Sequence, residues 1–271
     1  MPELPEVETT RRGLTPHIKG KTIRAVIVRN KHLRWPVPAS LTRELPGQRI
    51  LDITRRAKYL LFHFDNGTLI VHLGMSGSLR VADCKQTAEK HDHVEIILNT
   101  GLCLRLRDPR RFGAVLWTNK NPAQHKLLKD LGPEPLSDAF NGDYLYAKSR
   151  KRKSAIRDFL MNTKIIAGIG NIYANEALFH ARIPPRCAAG KISRVRCADL
   201  ALAIRTTLEK AIHAGGTTLR DFRNGDGHPG YFQQSLSVYG RSGKPCGVCS
   251  TLVRGLRIGQ RSAFYCPHCQ V

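Results

Sequence analysis

Four cysteines close the chain in two C-x-x-C pairs, Cys246 and Cys249 in CGVC and Cys266 and Cys269 in CPHC, with sixteen residues between the pairs. Each pair makes a tight knuckle. Four thiolates at that spacing supply a tetrahedral site with no open position, so the ion expected is one structural Zn2+. His268, inside the second knuckle, reads as a bystander. At the other end, MPELPEVETT sets Glu3, Glu6 and Glu8 beside two prolines. Carboxylates suit the positive end of a helix dipole, and Val7, Thr10 and Leu14 give such a helix one apolar edge. That is the bland reading of the start, and a catalytic reading needs a partner to be identified. His91 and His93 in EKHDH are two histidines without a third ligand, a weak metal signal. The basic run KSRKRK at 148–153 reads as a solvated face, a nuclear localisation signal or a set of phosphate contacts.

The charge identifies the partner class. Lys and Arg number 44 against 21 Asp and Glu, a formal +23 with a pI near 10.2. Cations in such surplus release condensed counterions when they pair with phosphates, so a polyanion is the expected partner. A membrane-surface binder would need a long basic amphipathic helix, and none stands out. No stretch approaches the roughly 18 apolar residues of a spanning helix, and the acidic, proline-bearing start is no secretory signal. The chain is expected to be soluble and intracellular, without a membrane partner. The remaining cysteines, Cys84, Cys103, Cys187 and Cys197, are scattered singly and read as reduced thiols.

The elements that must position these groups fall into two styles. KTIRAVIVRN, YLLFHF, TLIVHLGM, HVEIIL, GLCLRLRD and FGAVLWT read as strands with Gly and Asn turns. In GLCLRLRD, Leu102, Leu104 and Leu106 alternate with Cys103, Arg105 and Arg107, giving one apolar face. Six to eight such strands predict a sandwich or barrel closed by the N-terminal helix. After about residue 120, KLLKDL, SAIRDFLMN, NIYANEALFHARI and ADLALAIRTTLEKAIHA read as helices. The glycine-rich stretch 215–243 reads as a mobile loop, and TLVRGLRIGQRSAFY as a β-hairpin turning near Gly259 that presents Arg254, Arg257 and Arg261.

Taken together, MPELPEVE, HLGMSGSLR, EKHDHV, DPRRFGA, LGPEPLS, GIGNIYANE, GGTTL and QRSAFYCPHC, in this order, make the chain resemble the bacterial formamidopyrimidine-DNA glycosylases. The resemblance implies an α+β multidomain fold. An N-terminal helix and antiparallel β-sandwich form a catalytic domain over 1–120, followed by a linker over 121–145. A helical domain with a helix–two-turn–helix follows over 146–235, then a zinc-finger β-hairpin over 236–271, with DNA between the domains. It implies a monomer acting on damaged double-stranded DNA, without a nucleotide cofactor, in the bacterial cytoplasm and associated with the nucleoid through DNA.

The same resemblance gives the start of the chain a chemistry. Removal of Met1 would leave Pro2 as a secondary amine, and an α-amino group with a pKa near 8 is neutral on the order of 10% of the time at pH 7. Such an amine can attack the sugar C1′. Its iminium has no N–H to lose, so the charge persists and acidifies the 2′ hydrogen for β- and δ-elimination. By resemblance Glu3 is the general acid, kept protonated by burial and neighbouring carboxylates, and Glu6 organises the N-terminus. Lys58 in RRAKYLL is the catalytic-site lysine, and Arg261 clamps a phosphate and serves δ-elimination.

A base must leave the stack to be excised, and the resemblance implies that Met75, Arg110 and Phe112 fill the void. Arg110 would pair with the orphaned cytosine. By the same resemblance His91, Arg152 and Asn171 are expected at DNA. Arg220 stands where lysine is common in the family. Relatives that act on oxidised pyrimidines begin with glycine in place of Leu4, which favours oxidised purines here: 8-oxoguanine opposite cytosine and ring-opened purines. The alternatives are a pyrimidine-directed relative with the same chemistry and a non-catalytic zinc-ribbon nucleic-acid binder.

Overall fold

In a computed structural model, residues 1–216 and 236–271 are described. The expected loop over 215–243, with Arg220, lies largely outside them. The described residues gather into two compact units, one built on Met1–Lys129 joined by the stretch beginning at Ile212, the other on Asp130–Ala211 and the C-terminal segment ending at Val271.

The first unit opens with α1 (Leu4–Ile18), whose second residue is Pro5. Proline is tolerated there because a first-turn N–H has no helical acceptor to lose. Leu4, Val7, Leu14 and Ile18 are buried on its inner side. The strands follow as β1 (Ile23–Val28), then, after the single-turn α2 (Leu41–Glu44), β2 (Asp52–Arg56), β3 (Tyr59–Phe64), β4 (Gly67–His72), β5 (Ser78–Asp83), β6 (Asp92–Leu98), β7 (Leu102–Arg107) and β8 (Ala114–Thr118). They pair into two four-stranded sheets, β1-β6-β7-β5 and β2-β3-β4-β8, antiparallel throughout. Two separate sheets make this a sandwich rather than a barrel. Val7, Leu14 and Ile18 of α1 join Leu60, Phe62, Leu69, Val71, Leu104 and Leu106 in one core.

β7 departs from simple alternation. Leu104 and Leu106 face the core, but Arg105 on the opposite face is also enclosed, at 2% exposure. The β5–β6 connection covers it. Arg105 donates to the carbonyls of Thr87 at 3.3 Å and Asp83 at 3.5 Å, and to that of Gln86. Its guanidinium pairs with buried Glu95 at 3.5 Å. A period-two pattern separates apolar from polar side chains but does not tell solvent from a covering loop.

The second unit carries α3 (Gly142–Ser149), α4 (Ile156–Leu160), α5 (Asn171–His180) and α6 (Arg194–His213), then the hairpin β9 (Arg254–Ile258) and β10 (Arg261–Tyr265). Helix α3 escaped the sequence reading. It starts because the Asn141 side chain accepts the Tyr144 N–H at 2.9 Å. KLLKDL, expected as a helix, forms turns instead. Gly132-Pro133 follows at once, leaving too few residues to repay helix nucleation. The hairpin turns at Gly259, as its sequence indicated, with φ +54° and Ile258 opposite Arg261. Among the described residues, no helix is long and apolar enough to cross a membrane.

Glu8 ties α1 to the sheet behind it. Its carboxylate accepts from Arg11 at 2.7 Å, Arg12 at 2.9 Å and Arg55 at 3.2 Å. Burial alone would raise its pKa, but hydrogen bonds from Arg11 and Arg12, with Arg55 nearby, hold it at about 2, below the ordinary 4.5. A depressed carboxylate stabilises the fold above its unfolded pKa and loses that contribution as pH falls toward the folded value. Glu8→Gln is therefore expected to lower stability by ~2 kcal/mol near neutral pH. In thermal melts followed by circular dichroism, the gap from the parent should narrow from about pH 4.5 to about pH 2. A gap that stays constant over that window would refute the assignment.

Candidate active site

The start of α1 is built around two enclosed carboxylates. Glu3 and Glu6 are exposed by only 3% and 1%, and Pro2 is buried beside them. Glu6 reaches back so that its Oε2 accepts the Glu3 backbone N–H at 2.9 Å. This fixes the peptide that follows Pro2 and occupies a donor that the helix cannot satisfy. Gly216, at φ +81°, lies so close that an added Cβ would come within 3.2 Å of the Glu6 carboxylate.

Burial lowers the pKa of the Met1 α-amine, against the opposing pull of Glu3 and Glu6, and Lys58 and Arg110 lower it further. Those four charges define one neighbourhood. Lys58 is buried in the two-residue turn between β2 and β3, where Ala57 takes φ +51°. His72, opposite Tyr59 across the β3–β4 ladder, is pushed down to about 4 by burial, with Lys58 and Arg34 adding to the effect. It is neutral at physiological pH, and its Nδ1 accepts the Gly74 N–H at 3.0 Å.

The turn after His72 presents Met75. Gly74 takes φ +69°, and a Cβ there would lie 2.5 Å from the Phe112 carbonyl carbon and the Gly113 nitrogen. Only glycine lets the His-Leu-Gly-Met turn and the Arg-Phe-Gly loop pack backbone to backbone. Met75 and Phe112 stay exposed, at 36% and 42%, and the Arg110 guanidinium stacks 4.8 Å above the Phe112 ring. An exposed aromatic carrying a cation is suited to nucleic acid, whose bases stack and whose backbone is anionic. Asp108 holds this loop from beneath. Its Oδ2 accepts the Gly113 N–H at 2.7 Å, its N–H donates to the His91 carbonyl at 3.0 Å, and its carbonyl meets a His93 ring nitrogen at 2.8 Å. His91 itself sits at φ +77°. A 580 Å³ cavity lined by His32, Leu33, Arg34, Arg110, Arg111 and Phe112 opens beside the loop.

In the second unit, Arg157 is fully enclosed and joins three elements. It donates to Asn171 Oδ1 at 2.8 Å and to the hairpin carbonyls of Ile258 at 2.6 Å and Arg261 at 3.4 Å. Asn171, the first residue of α5, donates to the Ser262 carbonyl at 2.9 Å, and Asn175 Oδ1 accepts the Phe264 N–H at 2.8 Å. Next along the helix, Glu176 accepts the N–H groups of Ser237, Val238 and Tyr239 at 2.7, 3.0 and 2.8 Å. The hairpin is thus seated on α5, with Arg261 exposed and its guanidinium 3.7 Å from Met161 Sδ. Arg152 is exposed too, on a bend whose carbonyl accepts the Gly190 N–H at 2.9 Å.

The four tail cysteines converge as their spacing predicted. Their sulfurs all lie within 4.8 Å of one another, with Cys249 3.4 Å from both Cys266 and Cys269 and Cys246 4.0 Å from Cys269. A tetrahedral Zn2+ with Zn–S near 2.3 Å needs sulfur separations of about 3.8 Å, so the donor set fits. His268 lies outside this cluster. Hydrogen bonds from Thr251 bring the Cys249 thiol down to about 6, whereas burial and the neighbouring sulfurs push Cys269 up to about 12. A dication favours the thiolate at all four.

The structure brings Glu3, Glu6, Lys58 and Arg110 around the N-terminus and Met75 to the turn packed on the Phe112 loop. In the other unit it brings Asn171 against the Arg261 hairpin. Sequence reasoning missed Asp108, Arg157, Asn175, Glu176 and Gly74 as positioning groups. Asp108 carried a signal, since Asp before Pro marks a turn. Arg157 carried none, because an arginine in a basic chain looks like any other.

Comparison with known proteins gives these arrangements a family. Residues 1–115 match the formamidopyrimidine-DNA glycosylase N-terminal domain, 131–223 the H2TH domain of the same enzymes, and 243–271 the zinc finger found in FPG and IleRS. The formamidopyrimidine-DNA glycosylases of Pseudomonas putida (strain GB-1) and Nitrosococcus oceani are each 56% identical over 270 residues, covering 100% of both chains. The crystal structure of the Thermus thermophilus MutM (FPG) protein superposes with a TM-score of 0.88 at 38% identity, covering 99% of this chain and 98% of that one. The Lactococcus lactis Fpg complex with DNA containing an abasic site gives 0.92 at 34%, covering 99% of each. A variant of the same Lactococcus protein with Fapy-dG DNA gives 0.93 at 34%, again covering 99% of each.

A closed four-thiolate site holds its module folded. Stripping zinc with a strong chelator is expected to abolish hydrogen-exchange protection over β9 and β10 while leaving the sandwich strands protected. Persistent hairpin protection in a metal-free sample would contradict a structural zinc.

Proposed function

The chain belongs to the formamidopyrimidine-DNA glycosylase family, and from that premise we propose that it excises oxidised purines, 8-oxoguanine opposite cytosine and formamidopyrimidines, through Pro2 and then cuts the strand. As a member of the family it is a DNA repair glycosylase with one structural zinc. Its partner in this reading is damaged duplex DNA, and its place of action the nucleoid within the cytoplasm.

The observation that carries the reading is the burial of the N-terminal amine among Glu3, Glu6, Lys58 and Arg110. Desolvation that lowers an amine's pKa enlarges the neutral, nucleophilic fraction. With Met1 removed, the Pro2 nitrogen takes over that role one residue along. It attacks C1′, the C1′–base bond breaks, and the base leaves with a proton. Glu3 protonates the sugar ring oxygen as the ring opens. The resulting iminium withdraws electrons, a base removes the 2′ hydrogen, and the 3′ phosphate departs. The same sequence through C4′ releases the 5′ phosphate. Lys58 serves proton transfer in elimination, and Arg261 clamps a phosphate and assists the second elimination. Glu6 orients the nucleophile through the Glu3 N–H.

Met75, Arg110 and Phe112 fill the space of the extruded nucleotide, with Arg110 pairing with the orphaned cytosine, while His91, Arg152 and Asn171 contact the DNA. The exposure of Met75 and Phe112 supports this, because core residues of their type would be buried. Leu4, where pyrimidine-directed relatives carry glycine, supports the preference for purines.

Borohydride reduction on a duplex with a single 8-oxoguanine opposite cytosine is expected to trap a covalent adduct at Pro2. A chain that retains any residue before Pro2 should trap none, and Glu3→Gln should slow excision by ~10²–10⁴-fold. An adduct mapping to a lysine would replace Pro2 as nucleophile. Arg261→Ala should weaken binding and flatten the dependence of log K on log salt by about one unit. An unchanged slope would show that Arg261 contacts no phosphate.

A further inference from the structure

Two of the singly scattered cysteines meet in the fold. Cys103 lies in β7 and is fully enclosed, while Cys84, in the turn after β5, is half-buried. The β5–β7 register sets Ala82 opposite Cys103. Cys84, two residues on, is therefore the diagonal neighbour on the same face, and its N–H donates to the Gly101 carbonyl at 3.0 Å. Both sulfurs and a carboxylate oxygen of Glu95 lie within 4.8 Å of one another. Glu95 is already paired with Arg29 at 2.6 Å and Arg105 at 3.5 Å. Two guanidiniums neutralise the carboxylate and would repel a cation placed among the sulfurs, so thiol chemistry fits this cluster better than a metal. None of these residues takes part in the glycosylase chemistry above.

We propose that Cys84 and Cys103 form a hydroperoxide-sensitive dithiol that closes to a disulfide across β5 and β7. The half-buried Cys84 is the thiol a small hydroperoxide can reach. Its thiolate attacks a peroxide oxygen, the S–O bond forms, the O–O bond breaks, and the departing hydroxide takes a proton to become water. Cys103 sulfur then attacks Cys84 sulfur. The S–S bond forms, the S–O bond breaks, and hydroxide leaves as water with the Cys103 proton, passed through Glu95. In sum, with hydrogen peroxide as the oxidant, two thiols are oxidised to one disulfide and one peroxide is reduced to two waters.

A disulfide needs sulfurs about 2.05 Å apart, so closure asks the pair to approach by under about 3 Å. Cys84 sits past the last paired residue of its strand, Asp83, where rotamer and turn can adjust. Closure would tether the start of the connection that Arg105 pins and that ends at His91.

The test treats the zinc-loaded chain with graded hydrogen peroxide, blocks thiols, digests without reductant and maps linked peptides by mass spectrometry. A Cys84–Cys103 pair should appear at doses that leave zinc content unchanged. Cys103→Ser should stop at a dimedone-reactive sulfenic acid on Cys84, and Cys84→Ser should leave Cys103 reduced. The proposal is overturned if the wild-type chain yields no such pair by the dose that oxidises the zinc cysteines, or if dimedone marks Cys103 first. It is equally overturned if the wild-type chain holds a second zinc that either variant loses.

Discussion

The hydrogen bond from the Glu3 N–H to the Glu6 carboxylate is the interaction on which the first unit's chemistry depends. A carboxylate at 1% exposure is expensive to keep unless its oxygens are engaged. Glu6 meets that demand by satisfying a donor that every helix start leaves open. Val7, Leu14 and Ile18 pack α1 into the sandwich core, which fixes where its first turn begins. Core packing therefore sets the position of the peptide after Pro2 to within a hydrogen-bond length. Lys58 reaches the same neighbourhood from the β2–β3 turn and Arg110 from the loop before β8, so the cluster is assembled from three parts of the chain that only the closed sandwich brings together.

The second unit solves a related problem with the opposite charge. Arg157 is buried, and burial lowers its pKa, as does nearby Arg261, while Asp158 opposes both. A guanidinium in that position is costly unless its donors find acceptors, and its two terminal nitrogens reach two hairpin carbonyls, Asn171 and Asp158, leaving only Nε without a partner. The zinc module, too small to bury a core of its own, gains its seat through this arginine and through Asn175 and Glu176. Zinc closes the knuckles, and α5 seats the hairpin so that Arg261 is held in a defined place.

What was legible in the sequence follows from the range of the forces involved. The zinc ligands were legible because chelation demands a spacing within one short segment. The strands were legible because their apolar periodicity is local, and the hairpin turn because Gly259 is needed where φ is positive. KLLKDL misled because apolar spacing says nothing about whether a helix has room to nucleate before Gly132-Pro133. Arg105 misled because the loop that covers it lies elsewhere in the chain. The meeting of Cys84 with Cys103 was illegible for the same reason, since it depends on strand register across nineteen positions. Asp108 and Glu176 act through backbone donors whose arrangement no side-chain pattern announces.

Backbone strain is placed where those long-range contacts can sustain it. Among the described residues, six other than glycine take positive φ: Ala57, His91, Arg111, Lys151, Arg182 and Ser250. Each costs of order 1 kcal/mol or more and persists only when its surroundings over-determine it. Ala57 precedes Lys58, Arg111 separates Arg110 from Phe112, Lys151 precedes Arg152, Ser250 follows Cys249, and His91 is itself a candidate contact. Only Arg182 stands apart from the candidate sites. At Arg111 and Lys151 the left-handed turn reverses the chain abruptly and leaves Arg110, Phe112 and Arg152 exposed, clear of a well-packed domain, whereas the same geometry at Ala57 carries Lys58 into a buried position. The supports are visible for two of them: Arg55 donates to the Ala57 carbonyl at 3.0 Å, and Asp108 accepts from both ends of the Arg111 loop. Asp108, which the sequence concealed, is thus what allows Arg110 and Phe112 to project.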